Sequence, residues 1–175
     1  MVVIGIDPGS RFTGWGIVSE TSGCLELVDC GVIQPAARKP DKLSFSERLA
    51  CIYHELCMPI KRSRVDAGAI EQIFVAQNAQ SSLKLGQARG VAVAACASFG
   101  LDIFDYEPAV VKKALVGTGR ADKEQVAFMV KRLLNIREAS WRLDTTDALA
   151  VAICHLTQAR FMALAARARN ATQAG

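Results

Sequence analysis

"VVIGIDPGSRFTGWGIV", residues 2–18, joins two apolar runs through a turn and leaves a carboxylate at the joint. Residues 2–7 read as a strand of β-branched residues ending in Asp7, and Pro8-Gly9 then turns the chain. A second strand is expected over about 12–19 and a third over about 25–34, with Ser22-Gly23 between them. Three strands joined by short turns predict an antiparallel meander. Asp7 itself has three competing readings: a turn cap, part of a phosphate-cradling loop, or a metal ligand.

Downstream the apolar period changes. Leu49, Ile52, Tyr53, Leu56 and Ile60 follow helical spacing, with Pro59 expected to mark the helix end. "VDAGAIEQIF" (65–74) contains a short strand that ends in Glu71. A helix over about 79–98, a strand over 101–106 and helices over about 108–115, 122–134 and 144–164 complete the pattern. A meander followed by alternating helices and strands predicts an α/β fold, a mixed sheet with helices on both faces. Residues 1–164 are expected to form a single domain, and 165–175 a frayed tail.

The composition narrows the class. With 175 residues, 51% of them hydrophobic, the chain can bury a core of its own. The 21 Lys and Arg against 17 Asp and Glu agree with a polyanionic partner without demanding one. The six cysteines include no C-x-x-C, and the pairs Cys24/Cys30 and Cys51/Cys57 match no familiar zinc spacing. Cys96 and Cys154 lie in apolar helical stretches and read as small hydrophobes; a metal site at Cys51 and His54 is disfavoured. A cytoplasmic, reducing setting is the expectation.

Carboxylates carry the chemistry. Glu71 follows buried-strand residues, and an unpaired buried carboxylate is costly, so it must be exposed, paired or bound to a cation. In "WRLDTTDALAVAICHL", Asp144 and Asp147 are three apart and share a helix face. Viewed on that helix alone, Asp144 as N-cap and Asp147 as a dipole partner is the simpler account. Taken together, Asp7, Glu71, Asp144 and Asp147 predict a four-carboxylate cluster that needs protons or a cation to offset its repulsion. Oxygen donors without Cys or His suit Mg²⁺ or Mn²⁺, and two such ions about 4 Å apart would support phosphodiester hydrolysis. Asp105 and Glu107 rank lower, Asp122 and Glu124 read as helix-start residues, and His155 as a core histidine.

"GIDPGSRFTGWGIV", "AIEQIFVAQNAQSSLKLGQARGVAVAA", "VKKALVGTGRADKEQV" and "DTTDALAVAICH" occur in that order. Together these four blocks resemble the RuvC family of crossover-junction endodeoxyribonucleases, over residues from about 2 to 158. The resemblance implies a ribonuclease-H-like fold, a homodimer, and resolution of Holliday junctions by paired, symmetric, metal-dependent cuts. Such cuts would leave 5′-phosphate and 3′-hydroxyl nicks. It places the metal acids on Asp7, Glu71, Asp144 and Asp147; some members carry histidine at the position of Asp144. It matches the family's two lysines to Lys112 and Lys123, near the scissile phosphate, and gives Phe74 a stacking role at unpaired bases. Gln77 and Asn78 are candidates for reading base edges from the same loop. Lys84, Arg89 and Lys113, with Arg38, Lys39 and Arg120, are candidates for guiding the backbone of a four-way junction. Association with the RuvAB branch-migration complex is a further family expectation.

Gly86, Gly90 and Ala94 form a small-residue stripe whose helix cost predicts a close contact, with the sheet or with a second subunit. Three rival functions remain: a nucleotide binder of the actin-like fold, an RNA-processing ribonuclease-H-like enzyme, and a catalytically dead junction binder. The first needs a second domain for which 175 residues leave no room. "EQIFVAQNA" and "VKKALVG…ADK" argue against the second, and the four matching acids against the third.

Overall fold

The computed structural model describes residues 1–35, 43–72, 78–138 and 140–173. Strands β1 (Val2–Asp7), β2 (Thr13–Thr21) and β3 (Cys24–Ile33) form the antiparallel meander. Strands β4 (Ala67–Glu71) and β5 (Asp102–Tyr106) add to it in parallel, giving the order β3-β2-β1-β4-β5. Helices α1 (Phe45–Ser63) and α2 (Ala79–Ala97) cover one face of the sheet. Helices α3 (Pro108–Val116), α4 (Lys123–Leu133) and α5 (Leu143–Gln173) cover the other. The β2–β3 turn is the two-residue loop Ser22-Gly23, with φ of 53° and 90°, the hand that matches strand twist.

Strand alternation decides which way the acids face. Val3 belongs to the core beneath α5, whereas Ile4 and Ile6 belong to the core beneath α1 and α2. In β4, Ala67 and Ala69 face α5 and Ile70 faces the other side. The same alternation aims Asp7 and Glu71 at α5, and the pairing of Ile6 with Ile70 sets them side by side.

The sheet also makes room for that helix. A Cβ on Gly5 would lie 2.0 Å from the Ala148 carbonyl oxygen, and one on Gly14 would lie 1.9 Å from that of Asp144. Glycine at both positions therefore lets the α5 backbone rest directly on β1 and β2. From Ala148 to Leu156 every residue of α5 is buried, so burying Leu149 and Ile153 contributes about 1.5–3 kcal/mol each. The Leu143–Ala166 stretch is long and apolar enough to cross a membrane by length and composition alone, yet half of its most apolar window is buried in the fold.

Two helices differ from the sequence pattern. Pro59 does not end α1 but lies within it, buried beside Leu56 and Ile60. Its missing N–H removes one helical bond near the C-terminus, and the helix ends instead at Arg64 with φ of 49°. Helix α5 runs past residue 164 to Gln173. Ala163, Ala165 and Ala166 favour helix without an apolar stripe, so the loss of periodicity there was not a stop signal. Phe161, Met162 and Leu164 on this extension are exposed.

Candidate active site

Three elements bring the acids together. Asp7 ends β1, Glu71 ends the adjoining β4, and Asp144 and Asp147 occupy the first turns of α5. Asp144 is not the N-cap: the Arg142 carbonyl accepts the Thr145 and Thr146 amides at 3.1 and 3.3 Å, which puts Asp144 inside the helix. Its carboxylate instead accepts from Arg142 Nε at 3.3 Å.

The electrostatics follow from burial and crowding. Burial, then the charges of Glu71, Asp147 and Asp144, push the Asp7 carboxyl up to about 7, with Lys123 opposing. Glu71 is raised by burial and by Asp147, against Lys123 and Lys112. Asp147 is raised by burial, with Lys123 pulling it back by charge and by hydrogen bond. The Lys123 ammonium lies 3.4 Å from Asp147 Oδ2. Lys112 and Lys123 line a cavity of about 200 Å³ together with Glu71, Asp147 and Val126.

Lys123 is held at its post by the start of α4. Asp122 caps that helix, accepting the Gln125 amide at 2.8 Å while Gln125 Oε1 accepts the Asp122 amide at 3.0 Å. His155 is buried in the α5 core with Nδ1 2.8 Å from the Tyr106 hydroxyl, and Tyr106 pairs with Glu71 across β4 and β5. The histidine is thus part of the scaffold beneath the site.

Among the described residues, no three His, Cys, Asp or Glu side chains are gathered as a ready-made metal cage. Two of the acids are turned toward cations of the chain itself, Asp147 to Lys123 and Asp144 to Arg142. The donor set still fits a hard divalent cation: it is all carboxylate oxygen, and burial together with neighbouring negative charge raises Asp7, Glu71 and Asp147.

The remaining candidates divide. Asn78 caps α2, its side-chain oxygen accepting the Gln80 and Ser81 amides at 3.0 and 3.2 Å, so only its amide NH₂ is left to meet a base. Arg89 pairs with Asp105. Lys113 lies away from the acids, in a groove with Thr157 and Phe161 between α3 and α5. Lys84 sits 6.0 Å above the Phe45 ring. Phe74, Gln77, Arg38 and Lys39 lie outside the described residues. Arg142 is not among the residues expected from sequence; its guanidinium also stacks 4.0 Å over the Phe12 ring and so ties the β1–β2 turn to Asp144. Its only sequence signal was a basic residue two before an acid.

A meander extended by parallel strands, with acids at the ends of its central strands and on a helix laid across them, is the layout of a ribonuclease-H-like nuclease. The family described as Crossover junction endodeoxyribonuclease RuvC matches residues 3–155. The chain belongs to the RuvC family. The RuvC of Lawsonia intracellularis is 58% identical over 159 residues, covering 91% of this chain and 92% of that one. That of Nitratidesulfovibrio vulgaris strain Hildenborough is 54% identical over 165 residues, covering 94% and 96%. Among solved structures, Thermus thermophilus RuvC superposes with a TM-score of 0.80 at 34% identity, over 92% of this chain and 96% of that one. The same protein in complex with a Holliday junction substrate gives 0.79 at 32% identity, with the same coverage.

Proposed function

We propose that this protein resolves four-way DNA junctions through Asp7, Glu71, Asp144 and Asp147, cutting two opposed strands symmetrically to leave 5′-phosphate and 3′-hydroxyl ends. The observation that carries the reading is the convergence of four carboxylates from β1, β4 and α5, where burial and the charges of Glu71, Asp147 and Asp144 together raise the Asp7 carboxyl. Likeness to a RuvC solved with a Holliday junction supports the choice of substrate. The four acids would hold Mg²⁺, or Mn²⁺ in its place, with two ions per site. Bound there, such ions activate water and stabilise the leaving oxygen of a phosphodiester.

The chain's own part is positioning and charge. Asp7 and Glu71 fix one side of the cluster because adjacent strands hold them in register. Lys112 and Lys123, on the wall of the same cavity, neutralise the scissile phosphate and orient it toward the acids. Phe74 stacks on a base unpaired at the junction centre, with Gln77 and the free amide of Asn78 beside it. Lys84, Arg89 and Lys113 steer the arms, Lys84 most directly since Arg89 already has a carboxylate partner.

The working unit is a homodimer. Gly86 and Gly90 on α2 have nothing within 4 Å of an added Cβ, so the sheet of their own subunit does not fill the stripe that they form with Ala94. A two-fold partner there would set two sites on opposed strands of an approximately two-fold junction. Residues 1–164 are the nuclease domain, acting in the cytoplasm beside the RuvAB branch-migration complex.

The deciding test is cleavage of a synthetic four-way junction with Mg²⁺ by the wild type and by Asp7→Asn. Paired cuts by the wild type, none by the variant, and junction binding retained in both are expected. Equal cutting of linear duplex, or full activity in the variant, would overturn the reading.

A further inference from the structure

The β1–β2 turn has two sides. Gly9 and Thr13 close it, with the Gly9 amide 3.3 Å from Thr13 Oγ1 and that hydroxyl donating to the Gly9 carbonyl at 2.7 Å. On one side Phe12 stacks under Arg142, which bonds Asp144 of the carboxylate cluster. On the other side Ser10 and Arg11 form part of the wall of a separate cavity of about 600 Å³. Arg48 from α1 and Ser81 and Lys84 from α2 converge on the same space.

The cations of this cavity are unpaired among the described residues, and they come from three separate elements. Arg62, Arg89, Lys123 and Arg142 each pair with a carboxylate. Among the described residues no carboxylate pairs with Arg11, Arg48 or Lys84, and no acid lines the cavity. Two of these cations are already oriented: Arg48 Nε donates to the Leu43 carbonyl at 3.3 Å, and Lys84 rests over the Phe45 ring. Glu47, the acid nearest in sequence, turns its carboxylate to the Ser44 amide and hydroxyl, both at 2.8 Å. Three cations and two hydroxyls from three separate elements, with no counterion among the described residues, form a site for an anion with several acceptor oxygens.

We propose that Ser10, Arg11, Arg48, Ser81 and Lys84 form a second phosphate-binding subsite, which seats a backbone phosphodiester of the DNA at a fixed distance from the bond being cut. The inference rests on the nuclease reading, because the anion is taken to be DNA. Its geometry follows from the turn: Asp7 and Arg11 flank a closed loop, so a strand crossing the end of β1 meets the carboxylates on one side and this cavity on the other. The subsite sets the register of the strand, and its contacts carry no base preference.

The test measures binding of a four-way junction across a salt series, in the full-length Asp7→Asn background, which keeps the DNA intact. Arg11→Gln and Lys84→Gln, both at exposed positions, are each expected to weaken binding about tenfold, the scale of one charge-assisted contact. Their combination is expected to lower the slope of log K against log salt by about 0.9 for the phosphate released. Lys61→Gln, at the far end of α1, is the control for a generic loss of charge and is expected to leave the slope unchanged. A second arm replaces single phosphates around the scissile position by neutral methylphosphonates. One replacement away from the cut site is expected to weaken the parent but not the Arg11→Gln/Lys84→Gln double variant.

Parent-like affinity and slope in the subsite variants would overturn the proposal, as would losses matched by Lys61→Gln. So would a parent indifferent to every methylphosphonate outside the scissile position. Wild-type cleavage, run alongside, separates the two readings: paired cuts with unaffected subsite variants sink the subsite alone, and no junction cleavage sinks the nuclease reading beneath it.

Discussion

The Lys123 ammonium stands 3.4 Å from Asp147 Oδ2, so one carboxylate of the cluster is held by a cation of the chain itself. The lysine side chain is 65% exposed, whereas Asp147 is anchored by a buried helix. A lysine so placed has two opposed effects. Under the proposed function it competes with a metal ion for Asp147, and it offsets phosphate charge once DNA arrives.

Lys123→Met should therefore split two measurements that usually move together. Mn²⁺ affinity without DNA, followed by titration calorimetry, is expected to rise severalfold because a competing charge has gone. Single-turnover junction cleavage is expected to fall about 100-fold, the scale of losing one group that stabilises transition-state charge. A parallel fall in both would mean that the lysine merely supports the fold.

The raised Asp7 carboxyl makes metal-free stability depend on pH. Its value is about 7 in the folded chain against 3.8 for the free group, so the folded state holds an extra proton between those values. Stability from this group is therefore full below about pH 4 and is lost as pH rises to about 7, by on the order of a few kcal/mol. His155 acts in the opposite sense: burial lowers it from 6.5, so protonation on acidification favours the unfolded chain. The two are separated by urea unfolding in EDTA of wild type and Asp7→Asn. The variant is expected to be more stable near pH 7, with the difference vanishing near pH 4.

Gly14→Ala tests the contact that brings α5 onto the sheet. Its Cβ would fall 1.9 Å from the Asp144 carbonyl oxygen, so helix or strand must shift. Overpacking of this kind costs about 1–3 kcal/mol, read as a lower urea midpoint. The same displacement moves Asp144, so Mn²⁺ binding is expected to weaken beyond what lost stability explains. Gly5→Ala, against Ala148 and Ala152, should cost similar stability with less effect on the metal.

Gly90→Leu tests the proposed dimer. The position is open in the single chain, so the substitution is expected to leave the thermal midpoint of the isolated fold unchanged or slightly raised. Sedimentation equilibrium is expected to show a monomer where the wild type is a dimer. Paired junction cuts should fall to slow single nicks. A dimer that persists in the variant would place the interface elsewhere.

Much of the architecture was legible in apolar runs and helical spacing. Short apolar runs put Asp7 and Glu71 at strand ends, and the apolar run after Asp147 marked a helix buried on every side. Local rules misled where tertiary packing or composition overrode them. Pro59 was tolerated inside α1 because it is buried near the helix end, and Asp144 gave the cap position to Arg142. The alanine-rich stretch after residue 162 carried helix propensity without a pattern to reveal it. Contacts between distant segments left no local signal. The Arg142 stack on Phe12 and the convergence of Arg11, Arg48 and Lys84 exist only after three elements have been brought together.

The seating of α5 on glycine also limits how the protein can change. Its residues 148–156 are the centre of the hydrophobic interior, and the same rigid rod carries Asp144 and Asp147. Those acids are cast with the interior, and no substitution re-aims them without disturbing the whole molecule. Under the proposed function, a change of cutting preference that spares the interior falls in the rim, in turns and helix ends such as residues 8–12 and 78–84. Under the proposed function the chemistry is cast with the interior, and the address on the DNA is carried by the rim.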